Sequence, residues 1–449
     1  MRNLLKTFLI AWCVIAPLWL QAQNVLDDYI AFGRKHNLTI VEKSLSLEKA
    51  MTNLEMARSM YLPSLTFDAT YTTANGGRMI ELPVGNLLNP VYQTLNQLTQ
   101  SQSFPQIENE RINFLPRNYY DARFRAGMPI LNTDIKHNKR VNEQMVRMRE
   151  HEVEIYEREL VRDIKVAYYN YCSAEDGVKV YENALNLAQE GKRVNERMVD
   201  AGNGLHAYVV RANAEIAQAE AKLVEAQQQV SNAKYYFNML LNREAEEIIQ
   251  RQTTNASDLG QQSSGLQIDS REELEALGNQ INMQETLVKM NKQVFVPKLN
   301  AFVDLGSQAE NMRFNRNSQY VMIGAQLSMP IFEGGRNKLK IKESQLAVAE
   351  GKQQKLRVQQ QLETSARIAN NDVTSSIKNY QNAKQQLEAA ATYQRLIQRG
   401  FNEGVNTYIE TIDARSQLTN AQLAENLALY KWLIASAKLE RETASYILD

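Results

Sequence analysis

The sequence predicts an internally duplicated α+β protein that combines long antiparallel helices with four short strands. Three observations lead to this prediction: proline motifs that occur in matching pairs, alternating polar and apolar residues beside them, and long proline-free segments with apolar residues at heptad spacing. A pattern that returns after a long interval indicates one structural unit used twice. We therefore expect two repeats of the same organisation, not two unrelated domains.

The chain starts with an apolar run from Leu4 to Leu20, with Arg2 before it and Ala22 shortly after it. A basic start, a short apolar core and a small residue before the cut are typical of a secretory signal peptide. We expect residues 1–22 to be such a peptide. An uncleaved membrane anchor is the alternative interpretation of the same run.

Two pairs of proline motifs define the repeats. The matching prolines are Pro63 and Pro297 in the first pair, and Pro129 and Pro330 in the second. A glycine follows each Met-Pro-Ile motif at almost the same distance, since Met128 to Gly202 is 74 positions and Met329 to Gly404 is 75. Two halves in such close register indicate a duplication.

The matched motifs set the expected boundaries. We predict a first structural repeat over residues 23–242, a polar linker over 243–269 that is rich in Gln, Ser, Thr and Asn, and a second structural repeat over 270–449. The first repeat is longer because it carries an additional proline-rich segment at 75–117.

Each repeat contains two stretches in which polar and apolar residues alternate, which is the period of a strand with one apolar face. The predicted strands are 64–74 and 119–129 in the first repeat, and 298–308 and 320–330 in the second. Strands of about ten residues are long enough to cross a bilayer at a tilt. Hairpins of an ordinary soluble sheet would show the same alternation, and that alternative stays open.

Four strands are too few to close a barrel, because small membrane barrels start at about eight strands. An open sheet edge in hydrocarbon would leave backbone groups without hydrogen bonds. If these strands cross lipid, several chains must therefore share one barrel.

The remainder is predicted to be helical. As one helix, Thr133 to Gly202 would be roughly 100 Å long. The segments that follow Gly202 and Gly404 carry apolar residues at spacings of four and three, which is a coiled-coil seam. The first seam is Ala212, Ile216, Ala219, Leu223, Ala226, Val230, Ala233, Phe237 and Leu240, and the second is Ala414, Leu418, Ala421, Ala428, Trp432, Ala435 and Leu439, with Glu425 in place of one apolar residue.

Composition excludes several function classes. Lys and Arg number 51 and so do Asp and Glu, which gives a formal net charge of +0 and argues against a nucleic-acid partner. The four His have no second metal ligand at a suitable spacing, and no phosphate-binding loop or nucleophile elbow occurs. We expect no catalytic residues, no metal and no cofactor, and hence a protein that is not an enzyme.

Several motifs, in this order and spacing, resemble those of the TolC-like outer-membrane efflux proteins. They are Leu62-Pro-Ser-Leu65 and Val296-Pro-Lys-Leu299 before the first strand of each repeat, Met329-Pro-Ile-Phe-Glu-Gly-Gly-Arg336 after the last strand, and Gly404-Val-Asn-Thr-Tyr-Ile-Glu-Thr-Ile-Asp-Ala414. The resemblance implies an α+β membrane protein that is a homotrimer. Each chain would give four strands to a shared 12-stranded outer-membrane β-barrel and its long antiparallel helices to a trimeric periplasmic α-barrel.

The resemblance also implies a function. The expected protein is a channel-tunnel in the cell outer membrane, the exit duct of a tripartite efflux pump that passes small toxic molecules to the exterior. Its partners would be a periplasmic membrane-fusion adaptor protein, an inner-membrane pump and outer membrane lipid. A type I secretion duct for proteins or peptides and a secreted periplasmic coiled-coil structural protein are the alternatives.

Two sets of site residues follow from the resemblance. The adaptor-contact tips would be Gly202, Asn203, Gly204 and Leu205 in the first repeat, and Gly404, Val405, Asn406 and Thr407 in the second. Glu410 and Asp413 match acidic positions that ring the periplasmic gate, although a solvated helix face would carry the same residues. The positions that match the family's closing ion pairs are Phe401, Asn406 and Tyr208, which cannot form those pairs.

Overall fold

The computed structural model describes residues 25–115, 117–252 and 271–448. The predicted signal peptide and residues 253–269 of the predicted linker lie outside the described residues. The helices are α1 Val25–His36, α2 Leu38–Ser59, α3 Val84–Leu98, α4 Thr133–Asp200, α5 His206–Leu240, α6 Glu272–Lys292, α7 Arg336–Asn402 and α8 Tyr408–Glu442. The strands are β1 Ser64–Thr72, β2 Met79–Leu82, β3 Glu110–Asn113, β4 Tyr119–Leu131, β5 Lys298–Glu310 and β6 Gln319–Ser328.

The chain forms two compact units. The helical unit comprises Met1–Ala50, Gln144–Asn282 and Ala349–Asp449, and the strand-containing unit comprises Met51–Glu143 and Met283–Val348.

The strand-containing unit holds an antiparallel sheet of four strands in the order β1-β4-β5-β6. These strands overlap the four stretches predicted from the alternation. One row across the sheet consists of Phe67, Phe124, Leu305 and Val321, each opposite the next. All four side chains are exposed in the single chain, so one face of the sheet is apolar and uncovered.

The other face of the sheet is polar. Arg125 lies opposite Asp304, and its guanidinium donates two hydrogen bonds to the carboxylate at 2.7 and 2.6 Å. The same guanidinium lies 4.7 Å from the centre of the Phe302 ring. Beside this pair, the Tyr320 hydroxyl donates to Asp121 at 2.9 Å. The register thus separates an apolar face from a face that carries charges of both signs.

The edges of the sheet are β1 and β6, and neither pairs with a further strand of the described chain. Every residue of β1 is exposed. A sheet whose outer strands have unsatisfied backbone groups is a template for pairing with another chain.

The proline-rich segment at 75–117 contains regular secondary structure. β2 pairs with β3 in a two-stranded ladder, and α3 lies between them in the chain. Pro90 lies inside α3, where a proline normally ends a helix, and this hid the helix from the sequence pattern.

The helical unit contains most of two very long helices. α4 has 68 residues and α7 has 67, and each is followed by a helix of 35 residues. The predicted seam of α5 is its less exposed side, with Ala212, Ala226 and Phe237 buried. On α8 the prediction is only partly right, because most of the seam is half-buried. The buried side of its second half instead runs through Asn426, Tyr430, Leu433 and Ala437. None of the described helices has an apolar stretch long enough to cross a membrane.

A cluster of large apolar side chains forms the core of the helical unit. Ile30, Ile164, Tyr168, Phe237 and Leu433, which come from α1, α4, α5 and α8, are each no more than 1% exposed. Four helices far apart in the chain therefore depend on one another for burial.

The first part of the predicted polar linker packs against α4 and α8. Ile249 is buried, and Arg251 donates two hydrogen bonds of 2.8 Å to Asp176 on α4. Tyr430 of α8 donates to the same carboxylate at 2.8 Å. Residues 243–252 thus connect α5 to its neighbours through specific contacts, which a count of polar residues does not reveal.

We expect Phe237→Ala to lower the free energy of unfolding by about 3–5 kcal/mol, because it leaves a cavity in a core of several helices. The matched control is Tyr236→Ala, since Tyr236 is 50% exposed on the same helix. Thermal unfolding in detergent, followed by circular dichroism, measures both. Equal losses of stability from the two substitutions would contradict this placement of the core.

Candidate functional site at the paired helix turns

The first turn ends α4 at Gly202. Gly202 has φ 78°, in the left-handed region that favours glycine. Its amide donates to the Val199 carbonyl at 2.9 Å, and the Asn203 amide donates to Met198 at 2.9 Å. These two bonds are those of a Schellman motif, which satisfies carbonyls at a helix end and reverses the chain.

The second turn ends α7 at Gly404 in the same way. Gly404 has φ 80°, its amide donates to Phe401 at 3.1 Å, and the Val405 amide donates to Gly400 at 2.8 Å. Nothing lies within 4 Å of where a Cβ of Gly202 or Gly404 would be placed. Both glycines are therefore needed for the backbone conformation, and a side chain there would project into open space.

Two further glycines are needed for close packing at the turns. A Cβ on Gly204 would lie 2.5 Å from the Val199 backbone nitrogen, and one on Gly400 would lie 1.9 Å from the Asn406 side-chain oxygen. The close approach of the Val199 backbone thus explains why residue 204, one of the predicted tip residues, is a glycine.

A capping box starts α8 directly after the second turn. The Glu410 carboxylate accepts hydrogen bonds from the Thr407 amide at 2.6 Å and from the Asn406 side chain at 3.2 Å. In return, the Glu410 amide donates to the Thr407 hydroxyl oxygen at 3.4 Å. The hydrogen bond from the Thr407 amide, followed by those from the two side chains, lowers the pKa of Glu410.

The two predicted gate residues therefore differ in environment. Glu410 is exposed but held by the cap, whereas Asp413 is exposed and accepts only a bond of 2.7 Å from Gln417 among the described side-chain contacts. The Thr-x-x-Glu pattern that marks the cap was present in the sequence.

A buried aromatic residue between the two turns was missed by the sequence pattern. Tyr408 is 1% exposed, and its ring centre lies 5.5 Å from that of Tyr208 and 6.1 Å from that of Phe401. The Arg415 guanidinium lies 5.5 Å from the centre of the same ring. Residues from both repeats thus meet at Tyr408, and burial raises the pKa of this tyrosine.

Arg415 connects α8 to α4. Its guanidinium donates to the Leu187 carbonyl at 2.7 Å, and to the Thr411 carbonyl and hydroxyl at 3.1 Å each. A Cβ on Gly191 would lie 2.5 Å from the guanidinium, so this glycine in the middle of a long helix makes room for the contact. An isolated glycine inside a helical pattern is the sequence signal that could have indicated a close contact at this point of α4.

Beside this contact lies a cleft of about 420 Å³ between α4, α5 and α8, lined in part by Arg211, Glu215, Lys222 and Arg415. Burial raises the pKa of Glu215, and the neighbouring arginines oppose that shift. The cleft contains no metal-binding arrangement, since no group of three or more His, Cys, Asp or Glu side chains suited to a metal occurs among the described residues.

Each turn also presents apolar side chains to solvent. Leu205 is 59% exposed and Val405 is 79% exposed, and on the helices that follow them Val210 is 65% and Ile409 61% exposed. The turns therefore carry apolar surface that this chain leaves uncovered.

The chain is similar to a known family along most of its length. The sequence model of the family described as outer membrane efflux protein matches residues 34–243 and 266–444. The alkaline protease secretion protein AprF of Pseudomonas aeruginosa is 21% identical over 304 residues, which is 63% of this chain and 60% of AprF. The match thus spans less than two thirds of that relative.

Solved structures share the fold. The outer-membrane channel OprN superimposes with a TM-score of 0.76 at 16% identity, over 94% of this chain and 90% of OprN. The outer membrane protein VceC from Vibrio cholerae gives a TM-score of 0.73 at 15% identity, over 93% of this chain and 95% of VceC.

Thr407→Ala should loosen the second turn, because loss of an N-cap hydroxyl costs about 1 kcal/mol. Thr407→Ser is the control, since serine keeps the hydroxyl that accepts from the Glu410 amide. Hydrogen exchange of the backbone amides at the start of α8 measures the effect. Exchange that is as slow in the alanine variant as in the serine variant would show that the cap contributes nothing to the turn.

Proposed function

Because the chain belongs to the outer membrane efflux protein family, we propose that it is the exit duct of a tripartite efflux pump, passing small toxic molecules to the exterior. Members of this family are outer-membrane channels of tripartite pumps and type I secretion systems. The observation that carries the proposal is the four-stranded sheet with one apolar face, one charged face and two unpaired edges. Such a sheet fits one third of a shared membrane barrel.

The protein acts as a homotrimer. β6 of each chain pairs with β1 of the next, so that three sheets close into a barrel of twelve strands. This removes every open edge from the hydrocarbon, where an unpaired backbone group costs several kcal/mol. The row with Phe67 and Leu305 faces outer membrane lipid, and the face with Arg125 and Asp304 lines the lumen.

The long helices form the periplasmic part of the duct. α4, α5, α7 and α8 of three chains make an α-barrel, in which the small residues of the two seams allow close approach between neighbouring helices. Supporting this, Ala212 and Ala414 at the start of the seams are fully buried.

The two turns are the contact site for a periplasmic membrane-fusion adaptor protein, which joins the duct to an inner-membrane pump. The proposed contact residues are Gly202, Asn203, Gly204, Leu205, Gly404, Val405, Asn406 and Thr407. Leu205 and Val405 support this role because they are apolar, exposed and held at rigid turns. The pump supplies the energy and selects the cargo.

Glu410 and Asp413 form the periplasmic gate. Three copies of each carboxylate around one axis attract cations and oppose anions. The bond from Arg415 to Leu187 holds α8 against α4 in the arrangement of this structure, and it takes the place of the ion pairs that Phe401, Asn406 and Tyr208 cannot form.

A second candidate function is a type I secretion duct for proteins or peptides, which the likeness to the secretion protein AprF favours. Deleting the gene that encodes this chain in its host distinguishes the two functions. Greater sensitivity to small toxic molecules with unchanged secreted proteins supports the efflux duct. Loss of a secreted protein with unchanged sensitivity supports the secretion duct, and no change in either overturns both.

The double substitution Leu205→Glu and Val405→Glu should abolish adaptor-dependent export, because two charges at the turns oppose an apolar contact. The trimer should still be extracted from the membrane, since both side chains are exposed. Leu356→Glu is the control, because Leu356 is exposed on the side of α7. Normal export by the double variant would contradict the docking site.

Glu410→Gln combined with Asp413→Asn should lower the cation selectivity of the open pore in planar bilayers. Glutamine can occupy the same position of a capping box, so the start of α8 is kept while the charge is removed. Glu403→Gln is the control, because Glu403 is exposed near the same turn and pairs with Arg399. An unchanged ratio of cation to anion permeability would refute the gate assignment.

A further inference from the structure

The helix α3 carries an apolar stripe that the described chain covers only in part, since Val84 and Leu95 are half-buried and the other three residues are exposed. Val84, Leu88, Val91, Leu95 and Leu98 follow one another at spacings of four, three, four and three, the spacing of a helix that packs along another helix. Leu88, Val91 and Leu98 are 38%, 52% and 76% exposed. The stripe therefore has the same spacing as the seams of α5 and α8, and much of it remains exposed in the described part of the chain.

A neighbouring side of α3 is firmly attached to the chain that returns from it. The Asn89 side chain donates to the Ile107 carbonyl and accepts from the Ile107 amide, both at 2.9 Å. Two helical turns later, Asn96 does the same with Phe104, at 2.8 and 3.1 Å. Gly85 completes this contact, since a Cβ there would lie 2.3 Å from the Ile107 carbonyl oxygen. These bonds hold the helix in one orientation with the apolar stripe outward.

The absence of charged residues in and after α3 restricts the kind of partner that can cover the stripe. Residues 83–107 contain no Asp, Glu, Lys or Arg. Helices that lie on membrane surfaces usually carry Lys and Arg on their polar side, so lipid is a poor partner for α3. Copies related by symmetry bring identical charges together, and an uncharged helix avoids that repulsion.

The position of α3 in the chain brings copies together. α3 lies in the connection from β1 to β4, at the end of these strands opposite to the start of α4. β1 is an edge strand of the sheet, and the chain passes from this strand through β2 to α3, so α3 lies in the connection that leaves the strand that pairs with the next chain in the proposed trimer. The occupant of the stripe that fits these observations is a second copy of α3.

We infer that the three α3 helices of the trimer pack against one another through this stripe and obstruct the outer exit of the duct. The inference rests on the proposed homotrimer. Five apolar side chains per helix bury far less than the roughly 1,200–2,000 Å² of a stable interface. The shared barrel raises the effective concentration of the helices, so a weak contact is sufficient to close the exit and still releases when cargo arrives.

The test uses the full-length protein in the outer membrane, with Val91→Cys as the probe and Gln93→Cys as the matched control. Gln93 is exposed and lies two residues on, hence on the opposite side of the helix. Cys172 is buried, so the unsubstituted chain should give little background. Mild oxidation is followed by non-reducing electrophoresis, and the mass of the extracted particle is measured in parallel.

The inference predicts disulfide-linked pairs of chains from Val91→Cys and few from Gln93→Cys. It also predicts a higher single-channel conductance for Leu88→Asn with Val91→Asn, because the polar side chains separate the helices. A particle with the mass of three chains but no preference for Val91→Cys would overturn the α3 contact and leave the duct in place. A particle of one chain would overturn both.

Discussion

The unpaired edges of the four-stranded sheet are the constraint on which the rest of this protein depends. β1 and β6 each present a row of backbone donors and acceptors, and the apolar row through Phe124 and Leu305 is exposed. In water the apolar face is unfavourable, and in lipid the open edges are. In the proposed trimer both costs disappear, because β1 and β6 of neighbouring copies pair with each other and the apolar face meets lipid.

The two helix turns follow from backbone chemistry of a different kind. Each long helix ends in a Schellman motif with a glycine in the left-handed region, and each turn leaves an apolar side chain in solvent. The duplication thus places the same backbone structure, a Schellman motif, at both turns. The second tip differs by the capping box of Glu410 and by Arg415, which joins α8 to a carbonyl of α4.

Much of this organisation could be predicted because it depends on patterns among residues that are close together in the sequence. Alternation identified the strands, heptad spacing identified the buried side of α5, and the paired glycines identified the turns. The contacts of Tyr408 and Arg415 could not be predicted, because they join residues from both repeats that only the fold brings together. Arg251 and Asp176 were missed because they are 75 positions apart in the chain and only the fold brings them together. The helix α3 was hidden by Pro90 within it.

The mass of the protein extracted from envelopes in detergent shows whether three chains share one membrane barrel. Light scattering with a correction for bound detergent gives the mass of protein alone. We expect three chains per particle and aggregation when detergent is removed. A single chain that stays in solution without detergent would contradict the shared barrel, and with it the lumen, the gate and the proposed contact between the α3 helices.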